Sequence, residues 1–329
     1  MPFYWCNYSK IFEVMFVMSK IKDGIIGHAI GDAMGVPVEF CMREKLLKHP
    51  VMDMIGYGSH PVPEGFWSDD TSMEIALMDS FIANSKFDYD DIMKRFSNWV
   101  NYGEYTPDGK VFDIGKTCLR AIKKYVCDNI TPIECGSTDF NSNGNGSLMR
   151  ILPVAYYCYY KKLKSNEIYQ LVKEVSSLTH GHEISILGCY IYVNYVLFLL
   201  NGKDKFSAYN MVKLIDYSMF DKESLNLYSR ILKEDISKLN VDDIKSSGYV
   251  VDTLEASLWV LLKSKNYKES IIGAINLGND TDTIGAITGS MSGIIYGYDE
   301  IPKKWLEKLS KRDYLENLCS EFELVLKSL

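Results

Sequence analysis

Three short segments of this chain crowd carboxylates beside hydroxyls and glycines. Residues 31–40 (GDAMGVPVEF) carry Asp32 and Glu39; 67–77 (WSDDTSMEIAL) carry Ser68, Asp69, Asp70 and Thr71; 276–289 (NLGNDTDTIGAITG) carry Asp280, Asp282 and Thr283. One aspartate before a helix reads as a cap, since orphan N–H groups and the helix dipole favour it. Thr71-x-x-Glu74 likewise has the pattern of a capping box. One helix start needs one cap, however, whereas the last two segments hold four aspartates with Ser68 and Thr283. Brought together, those carboxylates repel and call for cations. An all-oxygen donor set suits Mg²⁺, Mn²⁺ or Ca²⁺ and not zinc, and two helix ends match the symmetry of a two-metal centre.

A fourth segment, 141–155 (NSNGNGSLMRILPVA), is a Gly/Asn loop running into a short helix with Arg150 in its first turn. Such a loop offers backbone N–H groups to an anion, and a helix N-terminus favours phosphate. It is equally the composition of an ordinary turn, and it is no Walker A loop, because no Gly-Lys-Ser/Thr follows. Thr179-His180-Gly181-His182 precedes an apolar helix. Histidines two apart do not share a helix face, so zinc is disfavoured. Either His180 or His182 is left as a phosphate or ribose contact or as a helix cap. His28, four residues before Asp32, suits a structural hydrogen bond.

The elements that must position these residues are helices. Apolar residues recur at helical spacing through Ile75–Phe81, Ile92–Trp99, Leu254–Leu262 and Trp305–Leu329, and long alternation is rare. Gly-, Pro-, Asn- and Asp-rich breaks are all too short for a domain linker. The pattern predicts one all-α domain of about a dozen helices over 18–329, with a charged stretch at 201–247. Residues 1–17 read as an N-terminal extension or a start-site artefact; Glu13 and the lack of a small-residue cleavage site fit a signal peptide poorly. Gly27, Gly31 and Gly35 recur every four residues, as do Gly285, Gly289, Gly293 and Gly297. Glycine costs about 1 kcal/mol per helix position relative to alanine, so the two stripes predict helices packed nearly backbone to backbone. Pro37 should stop the first of them and leave Glu39 on a loop.

Composition narrows the function. The 329 residues hold 36 Lys+Arg against 43 Asp+Glu, net −7, with no basic block, which disfavours a nucleic-acid groove. The apolar stretches 184–200 and 283–298 are too short for a bilayer core of ~30 Å and read as buried helices, so no membrane partner is expected. Eight cysteines without a CxxC pair read as reduced thiols in a cytoplasmic protein. A monomer is the default.

In this order and register, GDAxGxxxE, SDDT, GNGxxMR, LTH and DTDT resemble the ADP-ribosylglycohydrolase family, from about residue 20 to the late 290s. YVVDTLEASLW at 249–259 resembles the family's late helix start. The resemblance implies an orthogonal all-α bundle with a central cleft holding two Mg²⁺ or Mn²⁺ ions. Ser68, Asp69, Asp70, Asp280, Asp282 and Thr283 would be the metal ligands, and Glu39 the acidic residue near the scissile bond. The loop Asn143, Gly144, Asn145, Gly146, Ser147, Leu148 and Met149, with His180, would hold the diphosphate and its ribose. Asn279 stands where several members have glycine. The implied activity is hydrolysis of the bond between ADP-ribose and an acceptor on a protein or small molecule, with arginine as the default acceptor. Glu39, Asp69 or Asp70 would manage the proton, and anionic surroundings suit an oxocarbenium-like transition state. A non-catalytic ADP-ribose-binding or structural relative, and a metal phosphoesterase, are the alternatives.

Overall fold

The computed structural model describes residues 5–329, with side chains from Lys20 onward. The expected extension over 1–17 therefore lies outside the residues whose side chains are described. Sixteen α-helices and five 3₁₀ turns occur among the described residues, without any extended sheet. In chain order they are α1 (Trp5–Gly35), α2 (Arg43–Lys48), α3 (Asp69–Asn84), α4 (Tyr89–Tyr102), α5 (Lys116–Asp128), α6 (Leu152–Lys161), α7 (Ser165–Ser177) and α8 (Glu183–Leu200). There follow α9 (Lys205–Val212), α10 (Lys222–Leu227), α11 (Ser229–Lys233), α12 (Val250–Lys263), α13 (Tyr267–Ile275), α14 (Thr281–Tyr296), α15 (Lys303–Lys308) and α16 (Arg312–Ser328). The all-α expectation holds. The expected dozen was short because α2, α10, α11 and α15 have five or six residues each, too few turns to show an apolar stripe.

The glycine stripes do what their spacing predicts. The backbones of α1 and α14 meet along their lengths: a Cβ added to Gly27 would overlap the carbonyl oxygen of Gly289, and one on Gly31 that of Gly285. At Gly35 the obstacle is the backbone of Thr281 and Asp282, and the Thr281 hydroxyl donates to Gly35 O at 2.8 Å. Gly297 is the exception. It ends α14 at φ +91° with open space around it, so its glycine serves a positive-φ exit from the helix and not close approach.

Around this pair α3, α13 and α16 pack on α1, and α12 and α13 on α14. On the far side α8 carries Ile186, Leu187, Ile191, Val193 and Val196 into the same core that holds Ile25, Ile30 and Phe81. By length and composition α8 could cross a membrane, yet 83% of it is buried inside the protein. Its apolar surface is spent on α6, α7, α9 and α12. The α1 helix ends in the 3₁₀ turn Val36–Val38 around Pro37, which delivers Glu39 onto a loop as expected. The loop is pinned to the start of α14, since Phe40 N–H donates to Asn279 O at 2.6 Å and Asn279 N–H to Cys41 O at 2.8 Å. Asn279 adopts φ +61°, a left-handed conformation that glycine takes freely and asparagine tolerates.

Gly31→Ala is therefore expected to force α1 and α14 apart and to destabilise the fold by about 3 kcal/mol, the upper range for overpacking. Chemical denaturation measures it, and a loss below ~0.5 kcal/mol would contradict backbone contact as the reason for the stripe.

Candidate metal and ligand site

Where α1 ends and α3 and α14 begin, the acidic segments converge. Asp32, on the last turns of α1, accepts from Ser68 N–H at 2.9 Å, from Thr71 N–H at 3.0 Å and from the Thr71 hydroxyl at 2.6 Å. It thereby anchors the start of α3. Ser68 is the N-cap, its hydroxyl accepting from Asp70 N–H at 3.3 Å. The capping box read at Thr71 and Glu74 is absent. Glu74 turns fully into the core, 3.6 Å from the buried His28, because the true cap lies three residues before Thr71.

Asp70, Asp282 and Asp32 bring one carboxylate oxygen each within 4.8 Å of one another; Glu39, Asp280 and Asp282 do the same, so Asp282 belongs to both groups. Thr283 donates its hydroxyl to Asp70 Oδ1 at 3.2 Å, joining the two helix starts, while Asp70 Oδ2 is buried without a partner among the described residues. Asp69 stands to one side, accepting from Gly115 N–H at 3.2 Å. Burial first, and then the neighbouring carboxylates, push Asp69, Asp70 and Asp282 well above the usual range. Burial likewise raises Asp32 to about 6 despite its three donors, and Glu39 to about 7 against the opposing bond from His60. Buried acids of this kind hold protons unless a cation replaces them. The donor set, all oxygen with an orphaned Asp70 Oδ2, fits a hard divalent cation.

The cleft above this cluster has a volume of about 330 Å³. Gly144, Asn145, Gly146, Met149 and His180 line it, together with Glu39, Asp69, Asp70, Asp280, Asp282 and Thr283. Of the other loop residues assigned to the ligand, Asn143 bonds Phe140 O and the Ser185 hydroxyl. Ser147 and Leu148 are fully buried, with the Ser147 hydroxyl against Ser176 and Cys189. Neither Ser147 nor Leu148 lines the cleft, so these two support the loop from behind. Asn145 is a strut, its amide donating to Asp280 Oδ2 at 2.7 Å and to the Thr253 hydroxyl at 2.9 Å. Between His180 and His182 the structure chooses: His182 caps α8 by accepting from Ile184 N–H at 3.2 Å, and His180 faces the cleft. Arg150 precedes its helix, which starts at Leu152, and lies wholly inside the protein.

Two groups beside Glu39 were not foreseen. His60 Nε2 lies 2.5 Å from Glu39 Oε2, and Asp113 completes a three-residue group with them. The bond to Glu39 raises the His60 imidazole, and burial is the main cause that raises Asp113. His60 sits in a turn-rich loop and Asp113 is an isolated acid, so neither carried a spacing signal.

The profile of the ADP-ribosylglycohydrolase family matches residues 15–328. The chain is 32% identical over 308 residues to the ADP-ribosylarginine hydrolase Tri1 of Serratia proteamaculans, covering 92% of this chain and 79% of that one. It is 28% identical over 300 residues to the ADP-ribosyl-[dinitrogen reductase] glycohydrolase of Rhodospirillum rubrum, covering 90% and 92%. Among solved structures it superposes on an ADP-ribosylglycohydrolase-related protein complex with a TM-score of 0.78 at 27% identity, covering 94% of this chain and 98% of the other. The chain belongs to the ADP-ribosylglycohydrolase family, a class of hydrolases, as its motifs foretell.

The raised carboxyls set a pH dependence. An acid whose folded pKa exceeds its unfolded one keeps a proton the unfolded chain has shed, so stability falls as pH rises between the two values. For Asp32 and Glu39 that window runs from about 4 to about 6 and about 7. Saturating Mn²⁺ or Mg²⁺ should therefore raise the melting temperature more at pH 7.5 than at pH 5. Asp70→Asn should raise the metal-free melting temperature at pH 7.5 and remove most of the cation-induced shift. An undiminished shift would exclude Asp70 as a ligand.

Proposed function

We propose that this protein hydrolyses the bond between ADP-ribose and the arginine side chain of a modified protein, using two divalent cations of the Mg²⁺/Mn²⁺ kind. The observation that carries the reading is the pair of carboxylate groups sharing Asp282 beneath a cleft whose other wall is a Gly/Asn loop and His180. One wall is made for cations and the other for an anion, which suits a ligand bearing both ribose hydroxyls and a diphosphate. Relatives named ADP-ribosylarginine hydrolase support arginine as the acceptor. So does an acidic mouth, where Glu39 and Asp113 would face a cationic guanidinium. The seven described cysteines are free thiols, consistent with a reducing compartment.

Asp70, Asp280, Asp282 and Thr283 would hold the cations, with Ser68 and Asp69 at the same helix start. Bound there, divalent cations supply ribose orientation and a lowered pKa for a water. The chain's own residues do the rest. The Gly144–Gly146 backbone lines the cleft beside His180, and Gly146 packs too closely on Cys118 and His180 to carry a side chain. Glu39, held by His60 at 2.5 Å beside the carboxylates, is placed to exchange a proton at the bond that breaks. The surrounding carboxylates offset the positive charge that develops on ribose as the bond breaks.

Glu39→Gln should lower kcat by about 10²–10⁴-fold, the usual worth of a positioned acid–base group, while ADP-ribose still binds. Chromatography of products from arginine-, serine- and nucleobase-linked ADP-ribose tests the acceptor. Free ADP-ribose from the arginine linkage alone is expected, whereas AMP or phosphate as product would contradict glycosidic cleavage.

A further inference from the structure

The Arg and Thr of the GNGSLMR and LTH segments touch neither cleft nor carboxylates, yet they are joined to the one histidine that does face the cleft. Arg150 is completely buried, and no carboxylate pairs with it among the described residues. Its guanidinium donates to Val175 O at 3.3 Å and to the Thr179 hydroxyl at 2.7 Å, and stacks 5.2 Å from the Phe96 ring centroid. Thr179 Oγ1 is in turn 2.8 Å from His180 Nδ1.

The donor inventory orders this chain of bonds. A guanidinium can only donate, so Thr179 Oγ1 accepts from Arg150. The hydroxyl hydrogen then has His180 Nδ1 as its acceptor. A proton on Nδ1 would turn that buried hydroxyl hydrogen to the Cys118 thiol, the other acceptor in its reach and a much weaker one than an imidazole nitrogen. Nδ1 is thus the acceptor and the ring proton resides on Nε2. The ring is held on its other side as well, because a Cβ at Gly146 would lie 2.9 Å from His180 Cε1. Nε2 has no hydrogen-bond partner among the described residues and borders the cleft beside Gly144 and Gly146. Burial lowers the imidazole to about 3, in keeping with a neutral ring.

We infer that Arg150 is a positioning residue that acts through the Thr179 hydroxyl to hold His180 as its Nε2–H tautomer, presenting a donor to an anionic oxygen of a diphosphate in the cleft. The inference rests on the reading that the cleft takes an ADP-ribosyl group. It explains why a charge is kept in the core at the desolvation cost that such burial carries. The charge polarises the hydroxyl relay and adds a positive potential behind the anion loop, where water cannot screen it. Neither Arg150 nor Thr179 touches the ligand.

Long-range ¹H–¹⁵N correlation spectra of the ¹⁵N-histidine-labelled full chain read the tautomer directly, with His180→Gln assigning the resonance among the five histidines. The wild-type protein should show His180 protonated on Nε2 and bare on Nδ1; protonation on Nδ1 overturns the inference without any variant being needed. Thr179→Val, which removes only the hydroxyl, should leave a mixture of tautomers and raise KM for the ADP-ribosylated substrate about tenfold, one hydrogen bond to an anion. Its kcat should stay within about twofold, because the contact is made in ground and transition states alike. Thr179→Ser should restore both readouts. An unchanged KM in a Thr179→Val protein whose tautomer has shifted overturns the link to the ligand. Wild-type protein that shows the Nε2–H tautomer but binds no ADP-ribose with Mn²⁺ present sinks the functional reading and leaves the tautomer assignment standing.

Discussion

The backbone contact between α1 and α14 is the constraint on which the rest of the site depends. A side chain at Gly27, Gly31, Gly285 or Gly289 would meet a carbonyl of the opposite helix. With those side chains absent, the end of α1 lies beside the start of α14, and the Thr281 hydroxyl closes the joint on Gly35. Asp32 then reaches across to the first turn of α3, and Thr283 reaches from α14 to Asp70. The helix starts therefore point at one volume, and their orphan N–H groups add a positive potential that carboxylates favour. Move the two helices apart by one methyl group and all three acidic segments separate together.

That geometry is unfavourable for folding taken alone. Asp70 and Asp282 are buried among like charges, and Asp70 Oδ2 has no partner among the described residues. Each can be neutral with a proton or neutralised by a cation, and the second choice is the useful one. The stability forgone here is recovered in the apolar layers around α8 and in anchors such as Arg43, which bonds the carbonyls of Val241, Ile244 and Leu277 behind the loop preceding α14. The opposite wall makes a complementary choice, keeping the positive Arg150 in the core and passing its influence outward through neutral groups.

Much of this was legible in the sequence, and for physical reasons. Glycines every four residues have few explanations in a soluble helix, and four aspartates exceed what two caps require, so both the crossing and the acidic cluster could be read. What escaped was set by tertiary contact. Glu74 fitted a capping box by spacing, but Asp32 of α1 had already placed the cap at Ser68. Asn145 belongs to the Gly/Asn loop by position and became a strut because Asp280 and Thr253 lie within reach of its amide. His60 and Asp113 meet Glu39 only through the folding of two loops, and one-dimensional spacing holds no trace of that. The short helices between 201 and 247 were missed because they have too few residues for a period to appear.

The central claim, that the convergence of α1, α3 and α14 exists to bind divalent cations, is tested most directly by calorimetric titration of the chelator-treated protein with Mn²⁺ in two buffers of different ionisation enthalpy at neutral pH. The account predicts two ions per chain and net release of protons, since cations displace the protons held by the buried carboxyls. Absence of saturable binding, or binding without proton release, would contradict it.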